Sequence, residues 1–337
     1  MIFKLIKRCL LLSFTLIAFS FCKTSNSKPL AGLNPAIEAL SVKPDKVVAA
    51  DGSGDFKTIQ AAVDAAPSGL SAYYLIYIKE GVYKEVVTIP RNKTFIYFRG
   101  ESADKTILTY DNFSSKLDPN GVAYGTSRSS SVFIKATNFK AENLTFENSA
   151  GINAGQALAI SIQADLAAFR NCKFLGNQDT YYAAVNTTQY LKNCHIAGTV
   201  DFMFGGSTAV FESCTIHSLK GGYVTAASTP QGKKYGYVYL NCKLTGIAND
   251  ASVYLGRPWR PYANVVYIDC EMGKHIRSEG WNNWNNSANE TTAFYAEYNS
   301  TGEGYKPGKR QKWSNQLTKL QAQDYTVAKI LGAWKPF

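Results

Sequence analysis

Asp179 and Asp201 stand 22 residues apart, and Gln156 and Gln178 repeat the same step, with Gln178 directly before Asp179. Two carboxylates held a few ångströms apart cannot ionise independently. One can remain a protonated acid while the other acts as an ionised nucleophile or base. Side-chain amides beside such a pair are suited to donate to a developing oxyanion. Leu255-Gly256-Arg257-Pro258-Trp259 adds a guanidinium fork that could hold one carboxylate ionised and oriented. Aromatic residues follow each aspartate, Tyr181 and Tyr182 after the first and Phe202 and Phe204 after the second, as expected of a wall on which sugar rings stack. Taken alone, the two aspartates read first as polar turn residues of a passive scaffold. The amides, the arginine and the aromatics favour chemistry.

What must position them is a repeat with the same step. Phe169-Arg170-Asn171-Cys172-Lys173-Phe174 is followed by Leu191-Lys192-Asn193-Cys194-His195-Ile196 and Phe211-Glu212-Ser213-Cys214-Thr215-Ile216. Leu240-Asn241-Cys242-Lys243-Leu244 and Ile268-Asp269-Cys270-Glu271-Met272 continue the series, and Leu144 fills the cysteine slot of an earlier copy. From Leu144 the steps are 28, 22, 20, 28 and 28 residues, and each aspartate lies seven residues after a repeat cysteine. Short β-rich segments at such a period, with no helices between them, predict a parallel β-helix, all-β in class. Coils stack about 4.8 Å apart, so residues in one slot become neighbours. Asn143, Asn171, Asn193 and Asn241 share a slot and are expected to form a ladder of amide hydrogen bonds. Phe56 to Ala66 reads as a short amphipathic helix, with Ile59, Ala62, Val63 and Ala66 on one face, Asp55 as N-cap and Pro67 as terminator. It is expected to cap the open end of the solenoid. The segment after Asn299 reads as a tail packed back on the solenoid wall.

The first residues are a processing signal. Lys4, Lys7 and Arg8 form a positive region, and Cys9 to Phe21 an apolar run too short to span a bilayer comfortably. Residues 1–22 are therefore expected to be a secretion signal, with Cys22 a candidate lipid attachment site, residues 23–45 a linker and 46–337 a single catalytic domain. The protein is expected to be exported, as a secreted, periplasmic or outer-membrane lipoprotein, without a transmembrane segment and as a monomer. The five cysteines of the domain share one strand slot, which predicts a column of small buried thiols rather than a disulfide framework. Metal binding is not expected, because there is no Cys-x-x-Cys or paired histidine spacing. His195, His217 and His275 are scattered, and surface or satisfied roles are the default. The formal charge is +11, and loss of the leader's three positive residues leaves about +8. That excess favours an anionic partner. Nucleic acid is disfavoured by the lack of basic runs or a recognisable module, and of the other two anionic partners, a membrane surface and an acidic polysaccharide, the polysaccharide is the more economical reading for an exported protein.

These phrases resemble the pectin methylesterase (pectinesterase) family. Gly81-Val82-Tyr83-Lys84-Glu85 is similar to its Gly-x-Tyr-x-Glu, and Gln156-Ala157-Leu158-Ala159-Ile160 to its Gln-Ala-Val-Ala-Leu. Gln178-Asp179-Thr180-Tyr181-Tyr182 resembles Gln-Asp-Thr-Leu-Tyr, Asp201-Phe202-Met203-Phe204-Gly205 resembles Asp-Phe-Ile-Phe-Gly, and Leu255 to Trp259 matches without change. The likeness runs from about Val47 to the end and includes Asp51 to Phe56 and Gly280-Trp281. The departures are apolar exchanges and Tyr181 in place of Leu, which alters one expected groove wall.

The resemblance implies a right-handed parallel β-helix that hydrolyses galacturonate methyl esters of pectin, releasing methanol in cell-wall degradation. By motif, Asp201 would be the nucleophile, Asp179 the acid and then base, Gln156 and Gln178 the oxyanion donors, and Arg257 the residue that orients Asp201. Tyr182, Phe204 and Trp259 would line the sugar groove, and no metal or organic cofactor would be needed. The residues by themselves do not choose an ester over a glycosidic bond. A glycosidase also needs two carboxylates, but its pectin-cleaving versions resemble motifs with a Gly-His-Gly that this chain lacks. A serine hydrolase is disfavoured by the lack of Gly-x-Ser-x-Gly. A lyase would want a calcium site and a basic proton abstractor. A carbohydrate-binding solenoid, or an esterase or thioesterase with another substrate, are the remaining alternatives.

Overall fold

Strand alternation generates the core. In strand Val132–Ile134 the two valine and isoleucine ends are fully buried while Phe133 between them faces outward, and Ile96–Gly100 and Val87–Ile89 alternate in the same way. The computed structural model describes residues 43–337, and residues 44–337 form one compact unit. The expected leader, Cys22 and nearly all of the linker lie outside the described residues.

Every pairing between the strands is parallel, and the chain winds through three faces. The first face has eleven strands, from Lys46–Val48 to Asn315–Gln316. The second begins with Gly81–Lys84 and Thr106–Tyr110, and the third with Val87–Ile89 and Val132–Ile134. The long strands His195–Gly205 and Thr215–Ala227 turn the corner between the second and third faces and join them into one sheet. This is the parallel β-helix that the repeat predicts. Stacked Phe211, Tyr239 and Tyr267 continue the interior column, with centroids 4.6 and 4.3 Å apart, about one rung.

Cys172, Cys194, Cys214, Cys242 and Cys270 are buried and free, as expected, and all belong to the interior core. The slot before them has a different role from the one expected. Asn143, Asn171, Asn193, Ser213, Asn241, Asp269 and Asn299 all have φ between +48° and +56°. The turn requires left-handed backbone, which Asn and Asp tolerate better than most residues. The backbone N–H groups of Asn171, Asn193 and Asn241 donate to carbonyls of the next coil at 3.0 Å. Side-chain amide bonds form at Asn171 to Asn143 (3.2 Å) and Asn299 to Asp269 (2.5 Å). Among the described residues the side-chain amides of Asn193 and Asn241 make no such bond, so no continuous ladder forms.

The capping helix is Ile59–Ala65, and Ile59, Ala62 and Val63 enter the core. Its N-cap is Thr58, not Asp55. The Asp55 carboxylate instead accepts from the Val47 N–H at 2.7 Å and fastens the first strand. Glu85 accepts from the N–H groups of Ile59 and Gln60 at 2.7 and 3.0 Å, so the Gly81 to Glu85 phrase serves the cap. At the other end Asn315–Gln316 extends the first face, and Leu317 and Leu331 pack outside it against Tyr190, Val210 and Val238. The tail is therefore packed on the wall, as expected.

Candidate active site

Strands Tyr181–Ala183 and His195–Gly205 pair with Tyr182 opposite Phe204, a 22-residue offset that brings Asp179 and Asp201 onto adjacent coils. Gln156 and Gln178 form a bridge of their own with the same offset. Both aspartates have left-handed backbone, with φ of 65° and 51°. Such conformations cost free energy and are kept where the surrounding structure enforces them. The coils also approach closely: a Cβ on Gly205 would lie 1.9 Å from the Ala183 carbonyl oxygen, so the Phe-Gly ending of this phrase has a steric cause.

Arg257 grips Asp201 with both ends of its fork, Nε to Oδ1 at 2.9 Å and Nη2 to Oδ2 at 2.7 Å. The guanidinium lies between two rings, 3.8 Å from the centroid of Tyr223 and 3.7 Å from that of Trp284. The Asp179 side chain makes no hydrogen bond to another described residue. The two carboxylates are 8% and 6% exposed, so both are largely removed from water. Burial raises Asp179 to about 8, the negative charge of Asp201 adds to the rise, and Arg257 opposes it. Burial also raises Asp201, against the hydrogen bonds and charge of Arg257. The pair therefore divides into a proton-bearing Asp179 and an arginine-held Asp201.

Gln156, Gln178, Asp179, Tyr182, Asp201, Phe204, Arg257 and Trp259 all line one cleft of about 710 Å³. Every expected site residue is thus brought together. Ser114 Oγ donates to Gln156 Oε1 at 2.8 Å, which leaves the Gln156 NH₂ as a free donor. Tyr182 and Phe204 lie 4.9 Å apart, and Phe204 and Trp259 5.9 Å, as a continuous aromatic floor. Tyr181 and Phe202 do not belong to it. Both are fully buried in the interior core, and the Tyr181 hydroxyl donates to Gln189. Replacement of Leu by Tyr181 therefore changes the core and leaves the groove wall untouched. Thr126, Ser127 and Trp284 also line the cleft and were not expected. Trp284 follows Asn282 and Asn283 in an irregular segment, where no periodicity could have assigned it a face. His195, His217 and His275 are not among the lining residues, and His217 Nδ1 lies 2.9 Å from Thr245 Oγ1.

The Pectinesterase family model matches residues 45–333. The chain belongs to the pectinesterase family. Pectinesterase 31 from Arabidopsis thaliana is 43% identical over 275 residues, which cover 80% of this chain and 86% of that protein. Pectin methylesterase from carrot superposes with a TM-score of 0.80 at 35% identity, covering 86% of this chain and 93% of the carrot chain. A pectin methylesterase solved in complex with a hexasaccharide gives 0.77 at 31% identity, covering 88% and 99%. As a member of this family the chain is a carboxylic ester hydrolase, and its cleft is the place to seek that chemistry.

Proposed function

We propose that this pectinesterase removes methyl esters from galacturonate units of pectin, with Asp201 as nucleophile and Asp179 as acid and base. Asp201 attacks the ester carbonyl carbon, and the side-chain amides of Gln156 and Gln178 donate to the oxyanion of the tetrahedral intermediate. The intermediate collapses, the bond to the methoxy oxygen breaks, and Asp179 passes its proton to the departing methanol. The product of this step is an anhydride between Asp201 and the galacturonate carboxyl. Asp179, now ionised, takes a proton from water, which attacks the anhydride, releases the free galacturonate and restores both aspartates. Arg257 keeps Asp201 charged and aimed, and Tyr182, Phe204 and Trp259 carry the sugar rings.

The observation that carries this reading is the asymmetry of the pair. One carboxylate is held by a two-pronged arginine, and its neighbour is buried with no hydrogen-bond partner among the described residues. The leader over residues 1–22 suits an exported enzyme that meets wall polysaccharide. The mass of the mature N-terminus, with or without lipid on Cys22, checks that part. For the reaction, the purified chain is incubated with highly methylated pectin while methanol, reducing ends and unsaturated-product absorbance are followed together. Methanol without the other two products is expected. Reducing ends or absorbance without methanol would replace the esterase by a glycosidase or a lyase.

A further inference from the structure

On the third face the outward side chains of successive coils fall in one register, in the order Phe133, Ser161, Tyr182, Phe204, Ala226 and Arg257. The cleft extends along this row from Arg257 to Ser161, and Phe133 stands one coil beyond its end. Val132 and Ile134 are fully buried, which turns the half-exposed Phe133 ring outward. Two residues on, the exposed Lys135 holds its Nζ 5.6 Å from the centroid of that ring. Among the described residues Lys135 has no carboxylate partner. A single exposed aromatic is ordinary on a protein surface. Phe133 differs in that it continues the floor of the cleft and has an unpaired ammonium beside it.

Coils advance about 4.8 Å each, which puts Phe133 roughly 14 Å along the axis from Phe204. One pyranose unit of an extended chain covers about the length of one rung, so Phe133 would meet a sugar about three units from the ester under attack. The ring suits the apolar face of a sugar. The ammonium has a use only if that sugar carries a free carboxylate, since a methyl ester is neutral. We propose that Phe133 and Lys135 form an outer subsite for a de-esterified galacturonate unit, which biases the enzyme toward pectin chains that already carry free carboxylates on that side. This rests on the reading of the cleft as a galacturonate methylesterase.

The test compares wild type with Lys135→Gln, and with Lys312→Gln in the C-terminal tail as a control of equal net charge, on fully methylated and partly de-esterified pectin. Lys135→Gln should raise KM for the partly de-esterified substrate about two- to five-fold with kcat unchanged, the scale of one exposed ion pair. KM for the fully methylated substrate should not move, and Lys312→Gln should behave as wild type. Added salt should bring wild type and Lys135→Gln together, because exposed charges are screened beyond about 8 Å at physiological ionic strength. Phe133→Ala should raise KM for both substrates. Equal values for wild type and Lys135→Gln, or an equal rise on both substrates, would overturn the subsite. If wild type releases methanol from neither substrate, the esterase reading fails. The subsite is then read by calorimetric binding of an unmethylated galacturonate oligomer long enough to reach from Trp259 to Phe133. Weaker binding by Lys135→Gln supports it, and equal binding overturns it.

Discussion

Arg257 and Arg310 each hold a carboxylate with both prongs of the guanidinium, and of these two forks one is placed to do chemistry. Arg310 holds Glu297 through Nε to Oε1 at 2.7 Å and Nη2 to Oε2 at 3.0 Å, nearly the geometry with which Arg257 holds Asp201. At the C-terminal end the side chains of Arg310 and Glu297 are 2% and 0% exposed, and Arg310 also donates to the carbonyls of Arg277, Ser278 and Gly304. Every donor there is occupied by protein. In the cleft the corresponding exposures are 19% and 9%, and Arg257 has aromatic faces where Arg310 has carbonyls. The decisive difference is the neighbour. Asp201 stands beside a second carboxylate that no described residue pairs, at the wall of an open cleft. A satisfied fork fixes a fold, whereas a fork next to an unpaired acid sets up proton transfer.

Breaking the two forks should therefore have opposite consequences. Asp201→Ala should reduce methanol release to background, the largest effect expected, while most of the thermal stability is retained, because the Arg257 it leaves unpaired is 19% exposed to the cleft and still stacked between Tyr223 and Trp284. Arg310→Met should leave kcat near wild type but destabilise the fold by about 3–5 kcal/mol, since it strands a buried Glu297 charge. Denaturant unfolding measures that loss, and the double variant Arg310→Met with Glu297→Leu should recover part of it. A loss of activity larger than the loss of stability would end the distinction between the two sites.

A smaller effect sharpens the account of the cleft. Gln178→Ala should cost about two to three orders of magnitude in kcat if its amide serves the oxyanion. A change confined to KM would instead make Gln178 a substrate-binding residue. Smaller still is the stability effect of Asp179→Asn. The folded state holds the Asp179 proton up to about 8 whereas an unfolded aspartate releases it near 3.8. The native state therefore binds more protons between those values. Its relative stability is full below about 4 and falls as pH rises through about 8. Asparagine removes that slope, so its thermal midpoint should exceed wild type more at pH 8 than at pH 5. The same variant should lose most of its turnover and keep its affinity for substrate.

The periodic part of this molecule was legible from spacing. A 22-residue step shared by Asp179, Asp201 and the cysteine repeat implied adjacent coils, and burial of five thiols in one slot followed from the same register. Parity alone failed at the corners. Phe202 and Phe204 differ by two residues, yet Phe202 is in the core and Phe204 is in the cleft. Left-handed backbone at Asp201 and register shifts around Val200 and Met203 reset the alternation there. Asp55 was a reasonable helix cap by type, but its carboxylate is taken by Val47, a contact between separate elements. Tyr223 and Trp284 sandwich Arg257 from a strand corner and an irregular loop, and no local pattern ties them to a residue 34 or 27 positions away.

The central claim is that Asp179 carries a proton in the working enzyme because burial and its neighbour Asp201 keep it there. The pH dependence of kcat/KM reports ionisations of the free enzyme. Measured on fully methylated pectin, which presents no free carboxylates of its own, kcat/KM should fall as pH rises through about 8, where Asp179 loses its proton. A profile that stays flat or climbs through that range would contradict the claim.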